Sequence, residues 1–370
     1  MTPAAVAVVS AGALRHNLRN VRERTPGCRV LAVIKADAYG HGLIAVARAL
    51  DDADGLAVAR MEEAVRLREA GITRPIVVLG GFIDGSELEE AVHRGLDVVV
   101  HDPAQIERLE QVPARIDVWL KIDTGMGRLG IAPGTLLDSL ARLRARPAGG
   151  TVRLMTHLAA ADDPVSTQTA TQLAAFEASV VEAVAQGWVG EVSFANSAGI
   201  LAGQAIARDG VLAAGQANWV RPGLMLYGAS PLPDHAAASL GLAPAMSFES
   251  RLLAVRRLPR GSRVGYGGDW QAARDSVIGV AAAGYADGYP WHSSCGTPVL
   301  VNGQRAPVIG RVSMDMISID LTEVPLPGPG DRVVLWGNGL PVEEVARCAG
   351  TIPYELLAGM GPRVLRQVAG

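Results

Sequence analysis

The sequence predicts an N-terminal (β/α)8 barrel, residues 1–235, followed by a C-terminal mainly-β domain, residues 236–370. Up to about residue 230, eight short apolar runs alternate with segments of helical periodicity, which is typical of a closed parallel sheet covered by helices. After residue 235 the pattern changes to short strand-like runs separated by Gly, Pro and Asn-Gly turns. A length of 370 residues accommodates two domains of these sizes.

The eight predicted barrel strands are nearly uninterrupted apolar runs, as expected for parallel strands that are covered on both faces. In chain order they are residues 30–35, 56–59, 76–80, 97–101, 117–123, 152–157, 191–196 and 219–228. Helical segments lie between them, and three of them have clear ends. The segment 61–71 ends at a glycine, the segment 86–95 begins with Ser86 as its predicted N-cap, and the segment 166–187 also ends at a glycine.

The second half consists of shorter apolar runs. They cover residues 246–258, 276–286, 298–312, 316–321 and 331–337. In the third of these runs, Asn302 and Gly303 separate two apolar stretches, which is the strongest short-range signal for a β-hairpin. We therefore predict an all-β unit of antiparallel strands for this half.

Composition excludes several classes of function. The formal net charge is −3, and no block of five like charges occurs, so we expect neither a nucleic-acid surface nor a membrane anchor. No 18-residue stretch is apolar enough to span a bilayer, and the N-terminus lacks the basic segment of a signal peptide. Three cysteines without CxxC spacing favour a reducing compartment, and we predict the cytoplasm. No spacing of His and Cys predicts a metal site, and no GxGxxG or Walker motif is present.

Lysine is rare in this chain. Of the 34 Lys and Arg residues, 32 are arginine, and the two lysines are Lys35 and Lys121. Arginine replaces lysine as a surface cation, but its guanidinium stays protonated and cannot act as a nucleophilic amine. Both lysines lie near the ends of predicted strands, at the face where barrel enzymes place their active sites. We therefore predict amine chemistry here; the alternative is two ordinary lysines left by drift.

Lys35 lies in the motif VIKADAYGHG, which resembles the signature of the alanine racemases, isomerases that depend on pyridoxal phosphate. Similar motifs follow in the family's order: WLKIDTGMGRLG (119–130), THLAAAD (156–162), ANSAG (195–199), VRPGLMLYG (220–228), VGYG (264–267), GYADGYP (284–290), GRVSMDM (310–316) and GTIPYE (350–355). The resemblance covers residues 5–365. It implies interconversion of L-alanine and D-alanine, either for peptidoglycan precursors or in alanine catabolism.

The resemblance also implies the residues that bind the cofactor. Lys35 would carry it covalently. The phosphate would be bound by Tyr39, Ser197, Gly223, Leu224 and Tyr354. Another role for Ser197 is that of helix N-cap, and both roles can hold together. Arg221 would face the pyridine nitrogen, and because a guanidinium only donates hydrogen bonds, that nitrogen should stay unprotonated.

Racemisation needs an acid/base group on each face of the planar carbon, because a single base would return the proton to the face it came from. The resemblance implies Lys35 for the D-alanine face and Tyr266 for the L-alanine face. A tyrosine with the ordinary pKa of about 10 needs positive charge nearby to act at neutral pH. We expect His157 and Arg221 to form that network; the alternative for His157 is a buried core histidine.

The remaining implied roles concern the substrate. Arg128 would bind its carboxylate. Lys121 would be carbamylated and hold Arg128 by a hydrogen bond; the alternative is an ordinary contact of Lys121 with Asp123. The other implied substrate-binding residues are Met314, Tyr285 and Asp315, and the substrate entrance would be lined by Asp162, Arg311 and Tyr354.

The resemblance further implies a homodimer with shared active sites. Tyr266, Met314 and Asp315 lie in the predicted β domain and would reach the cofactor of the other subunit. Strand alternation would place Met314 on the same face as Val312 and Met316.

Three positions depart from the family pattern. Trp291 stands where arginine is usual, Ser313 where some members have cysteine, and Asp37 where asparagine is common. None belongs to the acid/base pair, so the reaction type is better supported than the specificity. Alternatives are a racemase of serine, lysine or broader specificity, a decarboxylase of the same fold type, and a carrier of pyridoxal phosphate without activity. Arg221 argues against the decarboxylase, and the large β domain argues against the carrier.

Overall fold

The computed structural model describes residues 4–204 and 218–370. The first two elements are strand β1 (Ala5–Ser10) and helix α1 (Ala11–Arg24). Ser10 caps the helix, because its side-chain oxygen accepts a hydrogen bond from the backbone N–H of Ala13 at 3.1 Å.

Eight parallel strands then form a closed barrel in which each strand pairs with the next and the last pairs with the first. They are β2 (Arg29–Val33), β3 (Gly55–Val58), β4 (Ile76–Val78), β5 (Asp97–Val100), β6 (Val118–Lys121), β7 (Val152–Met155), β8 (Val192–Asn196) and β9 (Asn218–Arg221). Most of their residues are buried whichever way the side chain points, which explains the continuous apolar runs in the sequence. The predicted eight-stranded barrel is confirmed. The last strand is shorter than predicted, because Pro222 and Gly223 follow it and Leu224–Tyr227 form a 3-10 helix.

The helices of the barrel half are α2 (Lys35–Tyr39), α3 (Leu43–Ala49), α4 (Met61–Glu69), α5 (Gly85–His93), α6 (Pro103–Glu110), α7 (Leu136–Arg144), α8 (Gln168–Ala185) and α9 (Ser197–Leu201). The predicted N-cap of α5 was wrong. Asp84, not Ser86, caps this helix, since its carboxylate accepts hydrogen bonds from the N–H groups of Ser86 and Glu87. A carboxylate accepts two such bonds more readily than a hydroxyl does.

The C-terminal half is built on an eight-stranded sheet, and the predicted mainly-β domain is confirmed. Its strands and the small hairpin beside it are β10 (Met246–Leu258), β11 (Arg263–Val264), β12 (Trp270–Gln271), β13 (Ser276–Ala281), β14 (Pro298–Val301), β15 (Gln304–Ile309), β16 (Ile317–Asp320), β17 (Arg332–Trp336) and β18 (Leu365–Ala369). Within the described residues, β11 and β12 pair only with each other, and the sheet order is β13-β16-β15-β14-β17-β10-β1-β18.

Strand β1 lies in this second sheet although we placed its residues in the barrel half. It pairs antiparallel with β10 and parallel with β18. Ala5, Ala7 and Val9 are buried and the residues between them are partly exposed, so only one face of the strand is covered. A barrel strand is covered on both faces. The boundary near residue 235 stays a prediction.

The predicted hairpin is confirmed. Val301 pairs with Gln304, and Asn302 and Gly303 between them have φ values of +51° and +83°, as a tight two-residue turn requires. The expected strand around Met314 is absent from this part of the structure. Residues 311–316 form an irregular link between β15 and β16, so strand alternation does not apply to Val312, Met314 and Met316.

Two short helices of the C-terminal half had no clear signal in the sequence. They are α10 (Val342–Cys348) and α11 (Pro353–Ala358). Within residues 4–204 and 218–370, no helix has the length and apolarity needed to cross a membrane, and no three His, Cys, Asp or Glu side chains are grouped as a metal site. All three cysteines are free.

Candidate active site

A cavity of about 810 Å³ opens at the carboxyl ends of the barrel strands. Most of the residues singled out from the sequence line it, namely Lys35, Tyr39, Lys121, Arg128, His157, Asp162, Ser197, Arg221, Gly223, Leu224 and Tyr354. This is the end of the barrel where enzymes of this architecture place their active sites. Tyr354 comes from α11, so the second domain closes one side of the cavity.

Lys35 does not end strand β2 as predicted; the strand stops at Val33, and Lys35 begins α2, which is a left-handed turn and not a regular α-helix. The next four residues, 36–39, have φ values between +51° and +55°. Left-handed backbone costs about 1–2 kcal/mol for each residue with a Cβ, so this turn needs support. Glu63 accepts the N–H of Asp37 at 3.2 Å, and the Asp37 carboxylate accepts the N–H of Leu43 at 3.0 Å.

The environment of Lys35 favours a neutral amine. Burial lowers the pKa of Lys35, and the charge of Arg128 lowers it further, while Glu63 acts in the opposite direction. A neutral amine is the form that acts as nucleophile or base. The shift of the Lys35 pKa is thus in the direction that its predicted role requires.

A small cradle of polar groups lies beside the turn. The Ser197 hydroxyl accepts hydrogen bonds from the N–H groups of Gly223 at 2.8 Å and Met225 at 3.3 Å. A Cβ at position 223 would lie 2.5 Å from the Tyr39 hydroxyl, so only glycine fits there. Asn196, not Ser197, is the N-cap of α9, because its side-chain oxygen accepts the N–H of Gly199. The Ser197 side chain is therefore directed to the cradle.

The hydroxyl groups around this cradle are donors. Burial raises the pKa of Tyr39, and burial raises the pKa of Tyr354 to about 12, so both phenols stay protonated at neutral pH. The two rings lie 6.1 Å apart. The Ser197 and Tyr39 hydroxyls lie beside Gly223, and Tyr354 lines the same cavity, so this side of the cavity offers hydroxyl groups suited to a phosphate group. The residues present thus fit the phosphate of the predicted cofactor.

Arg221 and His157 are in contact at the floor of the cavity. Arg221 is buried and donates hydrogen bonds to the Ser193 hydroxyl and the carbonyl of Thr156, and its Nη2 lies 3.3 Å from Nδ1 of His157. Burial lowers the pKa of Arg221 to about 10, so the guanidinium stays charged. Burial, with the charges of Arg221 and Lys121, lowers the pKa of His157 to about 2. His157 is therefore neutral, and Arg221 alone carries the positive charge of this pair.

Along the chain, Lys121 precedes a glycine-rich loop and Arg128 follows it. Burial, with the charges of Arg221 and Arg128, lowers the pKa of Lys121 to about 8. The described part of the chain contains no ion pair between Lys121 and Asp123. The Asp123 carboxylate instead accepts the backbone N–H groups of residues 125–127 at 2.8–3.1 Å, and so shapes the loop that presents Arg128.

The other predicted site residues lie away from the cavity of their own chain. We call this group, Tyr266, Tyr285, Arg311, Met314 and Asp315, the second patch. Tyr266 is 70% exposed and Met314 is 53% exposed. Backbone hydrogen bonds join part of the group, since the N–H of Tyr285 donates to the carbonyl of residue 313 and the next N–H donates to that of Met314. Tyr285 and Met314 are thus neighbours within the second patch.

Several residues of the site had no signal in the sequence. Glu63 supports the left-handed turn, Gln172 donates to the carbonyl of His157 at 2.9 Å, and Ile352 lines the cavity. Glu63 resembled an ordinary acidic residue in the first turn of a helix, and Gln172 a polar residue within one. Their contacts depend on tertiary packing that local patterns do not reveal.

Comparison with known proteins covers both halves of the chain. Residues 9–231 match the family "Alanine racemase, N-terminal domain", and residues 245–368 match "Alanine racemase, C-terminal domain". The chain belongs to the alanine racemase family. An alanine racemase of Nitrosococcus oceani is 47% identical over 363 residues, which cover 97% of this chain and 98% of that protein. An alanine racemase of Thioalkalivibrio sulfidiphilus is 48% identical and covers 100% of both.

Solved structures of the family share the fold. The biosynthetic alanine racemase of Pseudomonas aeruginosa superimposes with a TM-score of 0.91, is 42% identical, and covers 100% of both chains. The alanine racemase of Bartonella henselae, solved with covalently bound pyridoxal phosphate, gives a TM-score of 0.86 at 30% identity and also covers 100% of both. The predicted family, enzyme class and cofactor are confirmed: alanine racemases are isomerases that use pyridoxal phosphate.

Proposed function

We propose that the protein interconverts L-alanine and D-alanine by a two-base mechanism, with Lys35 on one face of the substrate Cα and the partner subunit's Tyr266 on the other. Membership of the family supports the activity. The observation that carries the mechanism is the division of the site. The cavity holds Lys35 and the phosphate cradle, whereas Tyr266 is exposed on the second patch.

The cavity residues would each have a separate task. Ser197, Tyr39 and Tyr354 would hold the phosphate of the cofactor. Bound there, pyridoxal phosphate supplies an electron sink for the electron pair left at Cα when its proton is removed. Arg221 would donate a hydrogen bond to the pyridine nitrogen, which suits a weak electron sink and simple proton exchange.

Lys35 would move the proton on the D-alanine face. Its pKa is lowered by burial and by Arg128, so the amine is closer to its base form than an exposed lysine is. The exposed guanidinium of Arg128 lines the same cavity and would bind the substrate carboxylate in a fork. A carbamylated Lys121 would place an anion beside that guanidinium and hold it.

The second base requires a homodimer in this proposal. Each cavity would be completed by the second patch of the partner, which would bring Tyr266, Met314 and Asp315 to the substrate. Tyr285 and Arg311 of the same patch would form the substrate entrance together with Asp162 and Tyr354. Two large exposed side chains on one surface, a tyrosine and a methionine, are suited to burial against another subunit.

Complementation between two inactive variants tests the shared site. Lys35→Ala and Tyr266→Phe chains are each expected to lose racemisation. When the two are mixed and allowed to exchange subunits, half of the dimers are mixed, and each mixed dimer has one intact site. Activity should return to roughly a quarter of the wild-type value.

The matched control mixes Lys35→Ala with the double variant Lys35→Ala/Tyr266→Phe, a pair that contains no intact site. Mixed dimers seen by native mass spectrometry without restored activity would contradict the shared site.

Steady-state racemisation of a panel of L-amino acids tests the substrate. A clear preference for serine or lysine over alanine would overturn the assignment of alanine as substrate. The cytoplasm, and a role in peptidoglycan supply or alanine catabolism, stay predictions.

A further inference from the structure

His41 is fully buried beside the left-handed turn and is not among the residues that line the cavity. Its Nδ1 lies 2.7 Å from the carbonyl oxygen of Tyr39. Its ring centroid lies 4.6 Å from that of Tyr227, and Tyr227 in turn stacks on Tyr39 with centroids 4.6 Å apart. His41 therefore supports Tyr39 in two ways: directly at the backbone and, through Tyr227, at the ring.

The hydrogen bond to Tyr39 fixes the tautomer of His41. Burial lowers the pKa of His41 to about 4, so the imidazole is neutral at neutral pH. A carbonyl oxygen only accepts, so the proton is on Nδ1. Among the described residues Nε2 has no hydrogen-bond partner. Arg366, whose charge also lowers this pKa, donates to the carbonyl of Gly40. His41 thus directs a single N–H donor at the turn.

Tyr39 needs such support for two reasons. Its φ is +51°, a conformation that a residue with a Cβ does not keep by itself. Its hydroxyl lies so close to Gly223 that a Cβ there would be only 2.5 Å away. Tyr227 is anchored independently, because its hydroxyl donates to the carbonyl of Val33 at 3.0 Å. Loss of the bond from His41 would release the backbone of Tyr39 and leave Tyr227 in place.

We propose that His41 is a positioning residue for the cofactor phosphate: its Nδ1–H donates to the carbonyl of Tyr39 and so holds the Tyr39 hydroxyl in the phosphate cradle. His41 touches neither the cofactor nor the substrate in this scheme. The inference rests on the proposed role of Tyr39 as a phosphate ligand. It requires a selective effect, because only a ligand with a phosphate uses the Tyr39 hydroxyl.

Titration of the full-length chain with two ligands tests this selectivity. The variants are His41→Leu, which removes the donor, and His41→Asn, whose amide can donate from nearly the same place as Nδ1. Binding of pyridoxal phosphate and of pyridoxal, which lacks the phosphate, is followed by the change in ligand absorbance when it becomes attached to Lys35. We expect His41→Leu to weaken the binding of pyridoxal phosphate by about tenfold, or about 1.4 kcal/mol. The binding of pyridoxal should weaken by less than about twofold. His41→Asn should restore the wild-type ratio of the two affinities.

Equal weakening of both ligands by His41→Leu would overturn the proposal, since a general packing defect affects both. An unchanged affinity for pyridoxal phosphate would also overturn it. Phe176→Leu, a buried change at the contact of α8 with Phe194, is the matched control; it should lower the melting temperature and leave the affinity ratio unchanged.

A second measurement needs no variant. Nitrogen NMR of the wild-type chain with labelled histidine should show His41 protonated on Nδ1 throughout neutral pH, and a proton on Nε2 would contradict the scheme. Neither experiment measures turnover. Failure of the proposed racemase activity would therefore be seen separately from failure of this inference.

Discussion

Lys121 provides the most direct test of the site's electrostatics. Its pKa is lowered from 10.5 to about 8, by burial first and then by the neighbouring guanidinium groups of Arg221 and Arg128. At pH 8 about half of the Lys121 amines are then neutral, against about 0.3% of ordinary lysines, a difference of about 160-fold. Carbon dioxide reacts only with the neutral amine, and the carbamate it forms would carry the opposite charge to both arginines. We therefore predict that Lys121 is carbamylated at pH 8.

Carbon NMR in labelled bicarbonate measures this directly. The wild-type holoenzyme should give one protein carbamate signal at pH 8, and most of the signal should be lost at pH 6, where only about 1% of the amines are neutral. Lys121→Arg keeps a cation but offers no neutral amine, so its spectrum should lack the signal. Lys35→Ala should keep it. No signal from the wild-type enzyme at pH 8, or an unchanged signal from Lys121→Arg, would refute the reasoning.

Three further predictions concern other parts of the molecule. Gly223→Ala places a Cβ 2.5 Å from the Tyr39 hydroxyl and should weaken the binding of pyridoxal phosphate by tenfold or more in an absorbance titration. An unchanged affinity for pyridoxal phosphate would show that the phosphate cradle is elsewhere. Gly284→Ala places a Cβ 2.2 Å from the carbonyl oxygen of Ser313 and 2.4 Å from that of Met314 in the second patch; steady-state assays should show at least a tenfold loss of kcat with unchanged cofactor affinity, and a variant with normal kcat would contradict a catalytic role of the patch. Asp97 lies 3.4 Å from Arg153 at the amino-terminal end of the barrel, and burial raises its pKa to about 6, above its unfolded value of about 3.9. Its charge is therefore unfavourable to folding above pH 6, so between pH 8 and pH 5 the wild type should gain about 1.4 kcal/mol relative to Asp97→Asn in urea unfolding, and a pH-independent difference would rule this out.

The barrel can be predicted from the sequence because its strands are covered on both faces. Most residues of such a strand are buried and therefore apolar, so the apolar runs are continuous. The order of the strands along the chain is also their order in the barrel. The hairpin at Asn302-Gly303 was readable because its turn needs two residues with positive φ. Both signals are local.

Features that depend on distant contacts were not readable. The left-handed turn after Lys35 is formed by residues 36–39, none of which is glycine, so their sequence, ADAY, does not predict it. The contacts that support the turn come from Glu63 and from other elements. Strand β1 has the alternating burial of a half-covered strand, but its partners are about 240 and 360 residues away.

The candidate site was predicted in two parts because its motifs lie in both halves of the chain. The motifs around Lys35, Arg128, His157 and Arg221 follow barrel strands, and a parallel barrel brings all such positions to one end. Tyr266 and Met314 lie in the C-terminal half and do not line the cavity of their own chain, so the role proposed for them requires a neighbouring molecule. Family resemblance identifies the residue types, and in the proposed function a homodimer would join the two parts.

The position of β1 has a consequence for how the protein is made. This strand leaves the ribosome before β18, its parallel neighbour, which is about 360 residues further along the chain. At about 5–20 residues per second, synthesis of the 235 residues between β1 and its antiparallel neighbour β10 takes roughly 12–47 s, during which β1 has neither of its partner strands to pair with. All eight barrel strands are made in that interval, whereas the second sheet can be completed only once β18 has emerged. A chain stopped near residue 360 would keep its barrel and leave the edge of β1 unpaired, as a starting point for aggregation.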